Sequence, residues 1–286
     1  MTFHNDSTIY AKSITLKVSN LEKSLLFYTK IIGFSVASQD KMTASLRAGT
    51  GEPFLFLEEL KEIEPKTVRT TGLYHFAILV PSREELGIIL NHLLETGYPL
   101  QGASDHYVSE AIYLADPDGN GIEIYRDRKA TEWEWEDGFV KMDTAYMDTK
   151  GVLASAGNRQ WKGLPEQTIL GHIHLHVADL TDTVDFYVKG LGFDVVQKYG
   201  SQAFFLSTAQ YHHHIGLNIW NGMGAPAPEK NHVGLAYFDL SILNHEKLEE
   251  IKHRIVQLGA LIIEKEGKWY TWDPSGNMIH LTVFNI

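Results

Sequence analysis

Cysteine is absent from all 286 residues, which excludes disulfides, thiolate nucleophiles and thiolate metal ligands together. Any metal this chain holds must be held by histidine and carboxylate. Long apolar runs are missing as well. Nothing approaches the ~20 apolar residues of a membrane-spanning helix, and the opening MTFHNDSTIYAK has neither the basic start nor the apolar middle of a signal peptide. The expectation is a cytoplasmic protein with no membrane partner. Positive charge is in short supply, with 25 Lys and Arg against 36 Asp and Glu and a net charge of −11. Without a basic cluster to neutralise phosphates, nucleic acid is not expected as a partner. A small neutral or weakly acidic ligand is accommodated more readily.

What is present is repetition. SITLKVSNLEKSLLFYTKIIGF from Ser13 aligns with HIHLHVADLTDTVDFYVKGLGF from His172, matching Val18 to Val177, Phe27-Tyr28 to Phe186-Tyr187 and Gly33-Phe34 to Gly192-Phe193. Asp116-Pro117 and Gly119-Asn120 align in the same way with Asp273-Pro274 and Gly276-Asn277, which sets His75 against His232 and Glu123 against His280. The repeat falls near half the chain length and predicts two similar halves.

Within the first half, ITLKV alternates as a half-buried strand does, Asn20 caps a helix over LEKSLLFYTKII, and Gly33 stops it. Three more extended segments follow. This β-α-β-β-β unit recurs four times, with YHFAILVPS, HIHLHV and HVGLAYFDL opening the later copies. The fold class is therefore α+β, four βαβββ modules forming two paired, curved-sheet half-barrel domains. One unit alone leaves a curved sheet with an open apolar face, so units must pair and enclose a cavity suited to small-molecule chemistry. Grouping sequence neighbours gives a first pair at 8–128 (units 8–62 and 72–128), a connector at 129–167, and a second pair at 168–286 (units 168–222 and 230–286). In the connector, TEWEWEDGF reads as a solvated strand or packing segment. DPDGNG is a turn into the last strand of its unit.

Four such units, with His on a first strand and Glu on a last strand, resemble the vicinal oxygen chelate superfamily, and within it the extradiol catechol 2,3-dioxygenases. The resemblance covers nearly the whole chain except the connector. It implies that one unit supplies a first-strand His and its partner a first-strand His plus a last-strand Glu. Together these form a 2-His-1-carboxylate face for non-haem Fe(II), with open positions for substrate and oxygen. First-strand positions here are Ser13, His75, His172 and His232; the last strands of units two and four offer Glu123 and His280. Only His75, Glu123 and His172 combine two histidines with a carboxylate, and they are the expected metal ligands. The all-histidine set His172, His232 and His280, from units three and four, stays open as an alternative.

The resemblance implies further roles. Tyr113 lies ten residues before Glu123, where such dioxygenases place a Tyr that hydrogen-bonds the substrate. His106 resembles their second-shell His, although at a shorter separation from Tyr113. In YHHHIGLNIW, His214 matches the acid-base His. If that run is a strand, His212 and His214 share one face and His213 takes the other. The bland readings are an exposed strand residue for Glu123 and an adventitious metal-binding surface tract for the His run.

The function implied is extradiol cleavage of a catechol-like aromatic diol by O2, with His214, Tyr113 and His106 as catalytic groups. Fe(II) is the expected cofactor, and Mn, Zn or Ni are alternatives. Small-molecule diol and O2 are the partners, and pairing into a homo-oligomer at sheet edges is allowed. Two other readings stay open: a glyoxalase-type isomerase or lyase using the metal as a Lewis acid, and a non-catalytic resistance protein that sequesters a small molecule.

Overall fold

The computed structural model describes residues 3–283; the expected end of the fourth unit at 286 lies outside them. Unit one contains β1 (Tyr10–Val18), α1 (Leu21–Phe27), β2 (Ser35–Gln39), β3 (Thr43–Arg47) and β4 (Pro53–Glu59). Unit two contains β5 (Gly72–Leu79), α2 (Arg83–Thr96), β6 (Leu100–Asp105), β7 (Ser109–Ala115) and β8 (Gly121–Asp127). The connector carries β9 (Trp135–Glu136), β10 (Phe139–Val140), β11 (Ala145–Tyr146) and α3 (Thr149–Ser155). Unit three contains β12 (Ile169–His176), α4 (Leu180–Asp185), β13 (Asp194–Tyr199), β14 (Ala203–Ser207) and β15 (Ile215–Asn218). Unit four contains β16 (Gly234–Ile242), α5 (His245–Gln257), β17 (Ile262–Lys265), β18 (Lys268–Trp272) and β19 (Met278–Val283).

The local chemistry of each helix start is legible. The side chains of Asn20, Ser82, Asp179 and Asn244 each accept from the backbone N–H three residues on, satisfying a donor that the first turn leaves free. Both α1 and α4 run into a π-helical turn that ends on a left-handed glycine, Gly33 with φ 93° and Gly192 with φ 89°. The four-unit α+β architecture with two curved sheets is thus present.

Unit pairing departs from the grouping by sequence neighbours. One sheet runs β17-β18-β19-β16-β1-β4-β3-β2 and joins units four and one; the other runs β11-β6-β7-β8-β5-β12-β15-β14-β13 and joins units two and three. The joins are the antiparallel pairs β1 with β16 and β5 with β12. The helical layers, by contrast, keep company by sequence. The π turn after α1 packs on α2, and α5 packs on the π turn after α4. Two buried bonds fasten these neighbours, Tyr28 Oη donating to Asp116 Oδ2 at 2.9 Å and Tyr187 Oη to Asp273 Oδ2 at 3.4 Å. The boundary at 128 therefore separates helix layers while cutting across both sheets. A largely continuous apolar core lies between sheets and helices, built on residues such as Ile14, Leu16, Phe76, Ile78, Ile173 and Phe238. Among the described residues no helix is long and apolar enough to cross a membrane.

Candidate metal centre

The joined register of units two and three builds a row of three side chains. On β12, His172 lies opposite Ala77 of β5, and Ala77 lies opposite Glu123 of β8. His75 stands two residues from Ala77, on the same face. Strand β8 can approach β5 this closely because residue 121 is glycine; a Cβ there would collide with the carbonyl of Tyr74. Ile122 and Ile124 point into the apolar core, and Glu123, only 3% exposed, turns to the other face. The solvated-strand reading of Glu123 is thereby overturned.

Three ligand atoms converge there. His75 Nε2 lies 3.0 Å from Glu123 Oε2, His172 Nε2 lies 3.3 Å from the same oxygen, and the two Nε2 atoms are 3.4 Å apart. Among the described residues these are the one set of three or more His, Cys, Asp or Glu side chains whose ligand atoms cluster tightly enough to hold a metal. Burial holds the His172 imidazole down at about 4, hence neutral, against the raising effect of Glu123. Burial also pushes Glu123 up, but the neighbouring His172 and His75 outweigh it and keep the carboxylate well below its usual range. Two imidazoles and one carboxylate, converging on one point, form a donor set that a divalent cation satisfies. With bonds of about 2.1 Å, the edge of an octahedral face is ~3.0 Å, close to the observed spacings.

The face lies on a cavity of about 580 Å³. Tyr113 lines it, and His106 Nε2 meets Tyr113 Oη at 2.6 Å while its Nδ1 meets the Asp143 carbonyl at 2.8 Å. Burial, then the nearby Glu123, keep the Tyr113 phenol strongly protonated. His106 therefore reaches the site through Tyr113 despite the short sequence separation. Connector residues Met142, Asp143 and Thr144 complete this side of the cavity, so part of the connector covers it; Trp133 of TEWEWEDGF is buried against Phe3, Tyr211 and His212.

His214 is displaced from its expected role. Its fully buried ring faces Ser207 Oγ at 3.2 Å and the Phe3 carbonyl at 2.8 Å, away from the cavity. His213 lines the cavity in its place, with its ring centroid 4.1 Å from that of His172. His212 and His214 both stay out of the cavity lining and His213 enters it, so the alternation along the run has the opposite phase to the one expected, just ahead of β15, which begins at Ile215. The run is also buried throughout and is no surface tract. Behind His213 stands a second pair: His212 Nδ1 lies 2.8 Å from His213 Nδ1, and His212 Nε2 lies 2.8 Å from Asp127 Oδ1. His174, whose ring centroid is 5.0 Å from that of His75, also lines the cavity. Alternation from His172 would have found His174; nothing in the sequence separated His213 from His214.

The all-histidine alternative is dispersed. His280 lies in the other sheet from His172, and His232 precedes β16. The alignment of His75 with His232 is itself displaced, because GLYHFA of β5 corresponds to GLAYFD of β16. Tyr237 thus occupies the place of His75 and Asp239 that of Ala77, opposite both Ser13 and His280. The Asp239 carboxylate fills the centre of that row and is hydrogen-bonded to Ser13 Oγ and His280 Nδ1.

Comparison with known proteins agrees with this fold. The sequence model of the Glyoxalase/Bleomycin resistance protein/Dioxygenase superfamily matches residues 11–124 and again 169–281. The chain is 45% identical over 277 residues to the protein of Bacillus subtilis (strain 168) named Catechol-2,3-dioxygenase, covering 96% of each. Among solved structures it is similar in fold to a putative dioxygenase from Bacillus subtilis subsp. subtilis str. 168, with a TM-score of 0.67, 13% identity, and 96% of this chain and 85% of that one covered. It is likewise similar to glyoxalase I from Zea mays, with a TM-score of 0.60, 16% identity and 96% and 92% covered.

Proposed function

The chain belongs to the Glyoxalase/Bleomycin resistance protein/Dioxygenase superfamily and is a dioxygenase-type enzyme within it, and from that premise we propose that it cleaves a catechol-like aromatic diol beside its hydroxyls, using O2 and Fe(II). The observation that carries this reading is the His75–Glu123–His172 face on the cavity, with Tyr113 and His213 beside it. His75, Glu123 and His172 would hold a ferrous ion there, which would supply Lewis acidity toward the diol and redox chemistry with O2. One carboxylate and two neutral imidazoles leave it one net positive charge, which suits a diol that has given up a proton.

The chain's own groups handle that proton and the substrate's orientation. Asp127 Oδ1 accepts from His212 Nε2–H, and with that nitrogen donating, His212 Nδ1 serves as the acceptor for His213 Nδ1–H. That leaves the lone pair of His213 on Nε2, to which no described residue hydrogen-bonds. Burial holds the His213 imidazole neutral. It is thus a ready acceptor for a hydroxyl proton and later a donor to the opening ring, the double task of a general base and acid. Tyr113 Oη orients a substrate oxygen, with His106 holding the phenol in place.

The test is direct. Apoprotein loaded anaerobically with Fe(II), then given catechol and air, should take up oxygen and form a yellow semialdehyde. No uptake across a panel of catechols and hydroquinones defeats the reading. Turnover of an α-ketoaldehyde–thiol adduct with Zn(II) or Ni(II) and no oxygen would replace it with the isomerase.

A further inference from the structure

Beyond the metal face, the cavity has a one-sided chemistry. One wall is an unbroken run of rings. From His213 it passes to Phe205 at a centroid distance of 5.0 Å, to His174 at 5.6 Å, to Trp220 at 5.3 Å, to Tyr74 at 5.1 Å, and back to the ligand His75 at 4.9 Å. At its outer end Trp220 is 43% and Tyr74 39% exposed, so the wall opens to solvent as bare aromatic surface. Ring-to-ring packing of this kind favours flat apolar partners. A cavity of about 580 Å³ also lies well within the range that encloses a drug-sized molecule, more than one benzene ring requires.

The charge of the lining is equally one-sided. Apart from the ligand Glu123, its one acidic or basic side chain of fixed charge is Asp143; no Lys or Arg lines it. Cations nearby are committed elsewhere. Arg83 and Arg126 bind Glu110, Arg128 binds Asp105 at 2.6 Å, and Lys198 lies over the rings of Phe139 and Phe204. A carboxylate on the substrate ring would lose water and meet no counter-charge, with the exposed Asp143 at the rim adding to the negative charge of a chain at −11. From these two observations we infer that the diol taken by this site bears an uncharged, apolar ring substituent that lies along the Trp220–Tyr74 wall, and that ring-carboxylated catechols are rejected. The inference rests on the proposed diol chemistry, and its test keeps the two apart.

Two readouts are needed. In the first, Zn(II)-loaded protein, which does not turn over, is titrated without oxygen with 4-phenylcatechol and with 3,4-dihydroxybenzoate while tryptophan fluorescence is followed. In the second, kcat/KM is measured for the same two diols with the Fe(II)-loaded enzyme. The expectation is at least 10-fold tighter binding and at least 10-fold higher kcat/KM for 4-phenylcatechol. Trp220→Ala should shrink that preference several-fold and Trp220→Phe should keep most of it, while Asp143→Asn should selectively improve the benzoate. Equal or reversed preference in both readouts overturns the inference while leaving ring cleavage standing. Preferential binding without oxygen uptake by any diol defeats the proposed reaction and leaves the ligand class standing. Neither binding nor turnover defeats both.

Discussion

His172 and Glu123 stand on strands that never pair with each other, yet their Nε2 and Oε2 atoms meet at 3.3 Å because Ala77, on the strand between them, is too short to keep them apart. The metal face is thus a product of register: two ligands reach across a small residue from either side, and His75 closes the triangle from the same strand as the gap.

Replacing Ala77 by valine fills that gap with a β-branched side chain. Overpacking of this kind costs about 1–3 kcal/mol, and here the strain falls on the two ligand side chains. Ala77→Val should therefore fold with a lowered melting temperature and bind Fe(II) or Zn(II) at least 10-fold more weakly by calorimetry. Unchanged affinity would show that the row is not tight.

Loading a divalent metal should raise thermal stability, because a ligand that binds only the folded state at 100 times its Kd stabilises by about 2.7 kcal/mol. Glu123→Gln removes the one anionic ligand and should abolish the metal-dependent rise. The metal-free variant should be less stable than metal-free wild type, since His172 and His75 favour the buried carboxylate and glutamine forfeits that attraction. Differential scanning with and without chelator checks both halves.

Metal stoichiometry separates the two sheets. His75→Ala should lose bound metal, whereas His232→Ala and His280→Ala should each retain one ion per chain by elemental analysis. His280→Ala should also lower stability, because it leaves Asp239 with Ser13 as its remaining side-chain partner. Metal loss in the last two variants would move the centre to the other sheet.

Asp127 Oδ1 holds His212 behind His213 and also accepts from Tyr211 Oη at 3.3 Å. Asp127→Asn should lower kcat roughly 10–100-fold, the usual effect of removing the carboxylate behind a working histidine, with metal content and the KM for the diol little changed. Asp127→Glu should recover part of the loss. A parallel fall in metal content, or no rescue, would mark Asp127 as merely structural.

Asp273 offers a pH test remote from the metal. Burial raises its folded-state value from 3.8 to about 6, although Asn277, Ser275 and Tyr187 hydrogen-bond the carboxylate. Between those values the folded chain holds a proton that the unfolded chain has released, so this group's contribution to stability falls as pH rises from about 4 to 6 and is level above that. The span is on the order of 3 kcal/mol. The difference in unfolding free energy between wild type and Asp273→Asn, followed by urea titration, should decline over this window and then flatten. A difference that rises with pH refutes the assignment.

Much of this was legible without coordinates, and the limit has a physical form. Helix starts at Asn20, Ser82, Asp179 and Asn244, and stops at Gly33 and Gly192, are set by local backbone chemistry. His75, Glu123 and His172 were named because the resemblance to the vicinal oxygen chelate superfamily implies two first-strand histidines and a last-strand glutamate, and one combination of units supplies them. What failed required knowledge of which strand lies beside which. The union of unit two with unit three depends on β5 meeting β12, far apart in sequence. Nothing in the run Tyr211–His214 tells which of His213 and His214 faces the cavity, and Tyr237 rather than His232 matches His75 because unit four is shorter than unit two between its first and last strands.

The strand order has a consequence for how the molecule comes into being. Each half of the chain owns one piece of both sheets, so a fragment ending near 128 would keep β1 paired with β4 and β5 with β8 while leaving the opposite edge of each unpaired. The halves are clasped like two hands. Ribosomal synthesis must deliver the second before the first can settle, and the metal face comes into existence only at that final closure.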